Sequence, residues 1–361
     1  MTKWTVHFMA AASVAVVAIA SVPSAVSAQS VDAVAKMTGP DRMAKLEAGA
    51  KKEGEFMLYT SLLVDDGVRP LQEVLGKKYP FIKFNYIRAT TSALIQRVLA
   101  EDRARKPNAD LVISSSSAAL KKAEVLQSYV SPEMAAYPKQ LLGPDNLWST
   151  LRVSYNGLGY NTKLVSPADA PKSYEDLLHP RWKGKMIWAN AVETGGPLTI
   201  LHLRRVWGEK KAQEFFNGLA KQDVASSSAS GRAVLDLVIA GEHSLQISAA
   251  LHHVIRSQTD NAPVNFASFD PVMTRPDHIQ MLKTAPHPHA AMLFIDYVLS
   301  EEGQNYLVQY EYLPAHPKVQ PLPQLQKIIP RLNNLNEIVY TPQDTDEVAE
   351  ELSNIFSNIS R

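Results

Sequence analysis

The chain has 361 residues, 45% of them hydrophobic and 20% charged, with a formal net charge of +1 and no cysteine. That length supports two domains, each with its own core. The near-neutral charge argues against nucleic acid or an acidic membrane as partner. The absence of cysteine excludes disulfides, a lipid-modified cysteine anchor and thiol chemistry.

Residues 1–28 read as an export signal. Lys3 gives a thin positive start, Phe8–Val22 is an uncharged apolar run, and Val26 and Ala28 occupy the positions before a cut. The run could also reach across a bilayer, but its small-residue end and the polar Gln29-Ser30 favour cleavage. Removal of 1–28 takes away one charge, Lys3, and leaves a neutral, exported chain that functions in the periplasm.

From there strands and helices alternate. Met43–Lys52 reads as a helix closed by Gly54, and Phe56–Tyr59 as a strand ending in Thr60-Ser61. Val68, Leu71, Val74 and Leu75 mark a helix with Pro70 in its first turn, where proline is tolerated. Phe81–Ile87 is the next strand and runs into Arg88-Ala89-Thr90-Thr91-Ser92; Leu94, Ile95, Val98 and Leu99 form one face of the following helix. Ala109–Ile113 is a third strand, followed by Ser114–Ser117, after which Ala118, Leu120, Ala123 and Leu126 recur at helical spacing. One serine suffices to cap a helix; four place hydroxyls and backbone N–H groups in one small volume at a helix start.

Three successive β-α units imply parallel strands with helices on both faces. In such sheets ligands bind beyond the carboxyl ends of the strands. Those ends are Thr60-Ser61, Arg88–Ser92 and Ser114–Ser117, all rich in hydroxyls. Trp148–Tyr160 is β-prone and alternating, and Pro167, Pro171 and Pro180 follow it, with Ser173-x-x-Asp176 as a helix start. A second α/β unit then appears. Strand Lys185–Ala189 leads through Thr194-Gly195-Gly196 into a helix at Pro197; Ser226–Ser228 and Ser230 precede Gly231-Arg232 and a helix ending at Gly241; Leu245–Ile247 is a strand.

The chain resembles the periplasmic solute-binding proteins of ABC importers, in the branch that includes the ferric-ion binders. Tyr59-Thr60-Ser61, Ala109-Asp110-Leu111-Val112, Tyr155–Thr162, Tyr174–Leu177 with Pro180–Lys185, Ala240-Gly241-Glu242 and His287–Ala291 through Phe294–Gln304 to Tyr312-Leu313-Pro314 carry the likeness, in family order. The resemblance implies an α/β fold of two lobes, a type II clamshell with ligand in the interlobe cleft and closure by hinge motion. It places residues 29–154 and 269–361 in the first lobe and an inserted 155–268 in the second. It also implies a monomer, with no enzymatic activity and no cofactor, that captures a small polar or anionic solute and delivers it to an inner-membrane permease.

The expected solute contacts are Ser61, Thr90, Thr91, Ser114 and Ser115 from the first lobe and Thr194, Gly195, Ser230 and Arg232 from the second, with Arg232 as charge partner and Arg88 and Arg152 as the next choices. One departure bears on the cargo. Where the ferric branch carries adjacent tyrosines, this chain reads Ile247-Ser248-Ala249-Ala250-Leu251-His252-His253, and the histidine and tyrosine expected after the first strand are replaced by Leu62-Leu63. Neighbouring helical residues point about 100° apart and seldom share a metal, so His252 and His253 read as surface or packing residues and no metal site is expected. Three alternatives stand beside the importer reading: a ferric-ion or ferric-anion binder, an exported serine hydrolase, which needs a histidine within reach of a serine, and a ligand-sensing partner of a sensor kinase.

Overall fold

The computed structural model of the protein describes residues 30–192, 195–341, 344–345 and 348–360. The segment 1–28, read as an export signal, lies outside them. No helix among the described residues is long and apolar enough to cross a membrane.

Strands β1 (Glu55–Thr60), β2 (Lys83–Arg88) and β3 (Leu111–Ser114) are parallel, in the order β2-β1-β3. Inward-facing Phe56 stacks on Phe84 of β2 at 4.7 Å and meets Phe294 at 5.1 Å. Phe294 belongs to the helix Pro288–Leu299, in which every residue from Ala290 to Leu299 is buried. Its sequence is apolar all round because the sheet covers one side and the helix Arg42–Glu53 the other. The two helices meet closely at Gly49, where a Cβ would lie 2.2 Å from the His289 ring. The one acid within the buried helix, Asp296, accepts hydrogen bonds from Arg42 Nη1 at 2.7 Å and the Tyr129 hydroxyl at 2.6 Å.

In the second lobe β6 (Met186–Ala189), β7 (Ala225–Ser227) and β8 (Leu245–Ala250) are parallel, in the order β8-β6-β7. Trp188, Ile200, Leu203, Phe215 and Phe216 form its core. Two long antiparallel strands join the lobes: β5 (Ser149–Asn161) and β10 (Val272–Leu282). β10 pairs with β3 from His278 to Met281 and with β5 from Met273 to Ile279. β5 continues to β8 and to β9 (Val264–Ala267). Register slips fall at Asp277/His278 and at Gly157/Gly159, where the strands change neighbours. At Gly157 a Cβ would sit 2.7 Å from the Ala267 carbonyl oxygen, so a glycine is required for the chain to pass.

Three expectations are corrected. The helix after the serine run spans only Ala118–Lys122, and Leu126 lies in the short strand β4 (Leu126–Gln127). Glu124 adopts a positive φ of 58°, which ends helical pairing. Ser173-x-x-Asp176 starts a single 3-10 turn, Glu175–Leu178, with Pro180 beyond it. Most consequentially, the C-terminal segment does not stay with the first lobe. Leu325 and Ile328 pack on Leu251 and Ile255 of the second-lobe helix Leu251–Thr259. β12 (Glu337–Val339) then pairs with β10 at Val272–Thr274. The helix Ala349–Ile359 inserts Leu352, Phe356 and Ile359 into the second core, with Phe356 4.8 Å from Trp188. The placement of 269–361 wholly in lobe one is therefore wrong at its end: the apolar face of that helix finds its partner across the hinge.

Candidate functional site

The first-lobe strand ends converge as their hydroxyl content suggests. Thr60 is fully buried and its Oγ1 accepts from the Leu62 amide at 3.1 Å, while the Ser61 amide donates to the Ile113 carbonyl at 3.0 Å. Thr90 caps the helix Thr91–Arg103 by accepting from the Ala93 amide at 3.4 Å. Thr91 and Ser115 share a hydrogen bond at 3.2 Å, so the ends of β2 and β3 are tied together. Arg88 is exposed. Ser114 Oγ donates to the Ser116 carbonyl at 2.6 Å and accepts from Gln280 Nε2 at 3.0 Å. Ser117, at the helix start, makes no capping hydrogen bond with its side chain; its buried hydroxyl has no partner among the described residues. Asp110, at the head of this stretch, is structural: it accepts from the Met57 and His287 amides at 2.7 and 2.6 Å and thereby fixes the start of the buried helix.

On the second lobe, Gly195 donates its amide to the Ala191 carbonyl at 2.8 Å, and a Cβ there would fall 2.1 Å from the Ala189 carbonyl oxygen. Thr194 lies outside the described residues. Ser230 is exposed and caps its helix by accepting from the Ala233 amide at 3.3 Å. Arg232 donates to Ser257 Oγ at 2.8 Å and pairs with Asp236, one turn along its own helix, at 2.9 Å. The guanidinium expected to grip a solute thus makes contacts within its own lobe, to Ser257 and Asp236.

A second group of charged residues lies on the strands that join the lobes. Arg152 on β5 pairs with Asp277 on β10 at 2.5 Å, and its guanidinium lies 4.5 Å from the Tyr312 ring centroid. Two residues along β10, on the same face, Arg275 is buried and donates from Nε to Asn156 Oδ1 at 3.2 Å. Asn156 in turn donates to the Ser248 carbonyl and hydroxyl at 3.1 and 3.2 Å. Burial alone would push the Asp277 carboxyl up, but the Arg152 and Arg275 charges hold it below its ordinary value. Burial likewise opposes the Arg152 charge, and Asp277 and Tyr312 sustain it.

His252 and His253 open the helix Leu251–Thr259 immediately after β8. Their rings are 4.2 Å apart, and three of their nitrogens, both of His252 and Nδ1 of His253, are buried without a partner among the described residues. Burial, then the mutual charge of the pair and the charges of Arg152 and Arg275, hold His252 far below its usual range. Burial with Arg152, Arg232 and Arg275 pushes His253 down to about 3, against the pull of Asp277. Both imidazoles are therefore neutral near pH 7, each with one N–H and one acceptor nitrogen. The pair, read from sequence as surface or packing residues, is half-buried and feels the charges of Arg152 and Arg275.

Arg275 also lines a narrow crevice of about 10 Å³, room for about one water, shared with Ser115 of the first lobe, Leu198 in the first turn of the second-lobe helix Gly196–Trp207, and Pro276, Tyr340, Thr341 and Thr345. First lobe, second lobe and tail thus meet on one buried cation. Among the described residues, two guanidiniums, one carboxylate and two neutral imidazoles leave the junction positive, and three of the imidazole nitrogens have no partner there. Such a set suits a small oxyanion, whose oxygens would satisfy donors that are otherwise costly to bury. Of the residues expected from sequence, Ser115, Thr91, Arg152 and Arg232 reach this junction or touch a residue that does, Arg232 Nη1 donating to the His253 carbonyl at 3.5 Å; Arg88 and Ser230 are open to solvent. Arg275, Asp277 and the histidine pair were missed. The available signal was Thr274-Arg275-Pro276-Asp277-His278, charge in the middle of an otherwise strand-like run.

The family model described as bacterial extracellular solute-binding protein matches residues 106–330. Iron uptake protein A1 of Synechocystis sp. is 26% identical over 249 residues, which is 64% of this chain and 68% of that protein. Among solved structures, iron-bound HitA from Pseudomonas aeruginosa superposes with a TM-score of 0.71 at 21% identity, over 84% of this chain and 99% of that one. The periplasmic binding protein AfuA from Actinobacillus pleuropneumoniae, with exogenous fructose-6-phosphate bound, also gives a TM-score of 0.71, at 20% identity over 84% and 98% of the two chains.

Proposed function

The chain belongs to the bacterial extracellular solute-binding proteins, and from that premise we propose that it captures a small anion between its lobes and delivers it to the inner-membrane permease of an ABC importer. The observation that carries the choice of an anion is Arg275, buried where the two lobes and the tail converge, with Arg152 and two neutral histidines beside it. Ser115 and Thr91 supply hydroxyls from the first lobe. His278, which faces Ser114 across the β3–β10 pairing, has no partner on either ring nitrogen among the described residues, so that pair does not form the hydrogen-bonded couple a serine hydrolase would use. Export to the periplasm through residues 1–28 belongs to the same proposal.

The experiment is a thermal-shift panel on the mature protein with inorganic phosphate, sulfate, organic carboxylates and sugar phosphates, against neutral sugars and amines at the same ionic strength. A ligand at a hundred times its Kd adds about 2.7 kcal/mol to stability, so at least one anion should raise the Tm by several degrees. A shift only with a neutral or cationic solute would overturn the reading. The ferric alternative draws its support from the Synechocystis relative, named for iron uptake. Among the described residues no group of three or more histidines or carboxylates is gathered as for a metal ion.

A further inference from the structure

Tyr312 joins the first lobe to the charged strands between the lobes. It follows the helix Glu301–Val308 and leads into β11 (Leu313–Pro314), which pairs with Val153 and Arg152 of β5. That pairing sets its ring against the Arg152 guanidinium, 4.5 Å from carbon to centroid. Resting on the anion reading above, we infer that Tyr312 is a positioning residue of the solute site: its ring holds Arg152 so that the free edge of the guanidinium is kept for the captured anion, and its own seat is the gap left by Gly67.

Arg152 has donors to give. Among the described residues its guanidinium makes one hydrogen bond, from Nε to Asp277 Oδ2 at 2.5 Å. The terminal nitrogens keep their N–H groups for a solute. A single hydrogen bond leaves a guanidinium free to tilt about its donor. A ring face against it removes that freedom, because the cation is drawn to the π face and the two planes stack. The ring itself is fixed, since Tyr312 is 4% exposed and the chain is tied on both sides of it. Glu311 pairs with Arg256 of the second-lobe helix Leu251–Thr259 at 3.1 Å. Beyond β11, the Ala315 and His316 amides both donate to Gln304 Oε1, at 2.9 and 3.3 Å. A guanidinium ordered in advance loses less freedom when it meets an anion, so more of each hydrogen bond appears as affinity.

The far end of the ring reaches the first lobe. A π turn, Val64–Val68, follows the carboxyl end of β1. At Gly67 in that turn a Cβ would lie 2.0 Å from the Tyr312 hydroxyl oxygen and 3.2 Å from Cζ. Only a glycine lets the phenol enter. A first-lobe turn therefore sets the ring, and the ring sets a cation carried on a strand that joins the lobes.

Calorimetry on the full mature chain tests this, with whichever of inorganic phosphate, sulfate and glycerol 3-phosphate binds wild type tightest. Tyr312→Phe keeps the ring and should stay within about threefold of wild type, whereas Tyr312→Leu removes the face and should weaken binding about three- to thirtyfold. In an Arg152→Gln background the same Tyr312→Leu change should have no further effect, because no guanidinium is left to hold; a merely structural role would weaken both backgrounds equally. Gly67→Ala should also weaken binding, and adding Tyr312→Phe should restore it by withdrawing the hydroxyl from the new methyl group. Wild-type affinity in folded Tyr312→Leu or Gly67→Ala, an equal Tyr312→Leu loss with and without Arg152, or a Gly67→Ala loss that Tyr312→Phe does not relieve would each overturn the positioning role while leaving the anion reading standing. Should Tyr312→Leu not fold, Gly67→Ala with and without Tyr312→Phe decides. Binding of none of these anions by folded wild type would count against the anion reading itself, and the positioning role would fall with it.

Discussion

Asp277→Asn separates the structural and electrostatic roles of the junction. Asp277 is the carboxylate that faces both Arg152 and Arg275, and its ion pair to Arg152 is largely enclosed, with 8% and 19% of the two side chains exposed. Removing one partner of a buried pair costs ~3–5 kcal/mol; because Arg152 keeps an edge open and asparagine can still accept from it, a loss of about 3 kcal/mol is expected. The effect on binding has the opposite sign. Asp277 is two residues from Arg275, about 7 Å along a strand, and a unit charge at ~7 Å with an effective dielectric of ~20 is worth about 2 kcal/mol. Losing that negative charge should tighten sulfate or phosphate binding by roughly thirtyfold. Urea unfolding with and without 10-fold-varied sulfate, followed by calorimetry, reads both numbers on one variant. A folded Asp277→Asn protein with unchanged or weaker anion affinity would refute the idea that this cluster is where the anion binds.

Three further outcomes are expected. His278 is buried against Trp148 at 5.4 Å and burial pushes it down to about 4, so the ring is neutral when folded and takes up a proton first on unfolding; the stability it permits is complete above its ordinary 6.5 and is lost as pH falls toward 4. At pH 5 that loss is about 2 kcal/mol, so His278→Phe should flatten the fall in urea stability between pH 7.5 and 5 by this amount, and parallel slopes would contradict the assignment. Ferric citrate should produce no phenolate-to-iron absorption band, because the tyrosine pair is replaced by Ala250-Leu251-His252-His253; a strong band that a chelator abolishes would place iron ligands elsewhere. N-terminal sequencing of periplasmic protein should begin at Gln29, and protein that still starts at Met1 and sediments with membranes would contradict cleavage.

The periodic parts of the fold were legible because each strand and helix carries its own burial pattern. Glu55–Thr60, Lys83–Arg88, Leu111–Ser114 and Met186–Ala189 all fall within two residues of the apolar runs that announced them. β10 was not legible as a strand: Arg275, Asp277 and His278 interrupt its alternation, and only the pairing with β5 and β3 on its two sides makes that sequence extended. Two of these residues, Arg275 and Asp277, belong to the candidate site, so the feature that hid the strand also hid the cation. Arg232 misled for a complementary reason. Its position after a serine run and at a helix start is right for a ligand contact, but Asp236 one turn on and Ser257 on a neighbouring helix take its donors, and only the second of these is invisible in sequence. The tail could not be placed from sequence because Leu352, Phe356 and Ile359 specify an apolar stripe without saying which core receives it.

The most direct measurement is calorimetric titration of wild type, Arg275→Gln and Arg232→Gln with the anion that gives the largest thermal shift, glycerol 3-phosphate being the first probe. A guanidinium that meets a buried anion contributes ~1.5–3 kcal/mol through each charge-assisted hydrogen bond. Arg275→Gln should therefore weaken binding by about ten- to a hundredfold or more with the fold intact by circular dichroism, whereas Arg232→Gln, whose donors already serve Asp236 and Ser257, should stay near wild type. Wild-type affinity in Arg275→Gln, or the loss appearing in Arg232→Gln instead, would contradict a solute site built on Arg275 between the lobes.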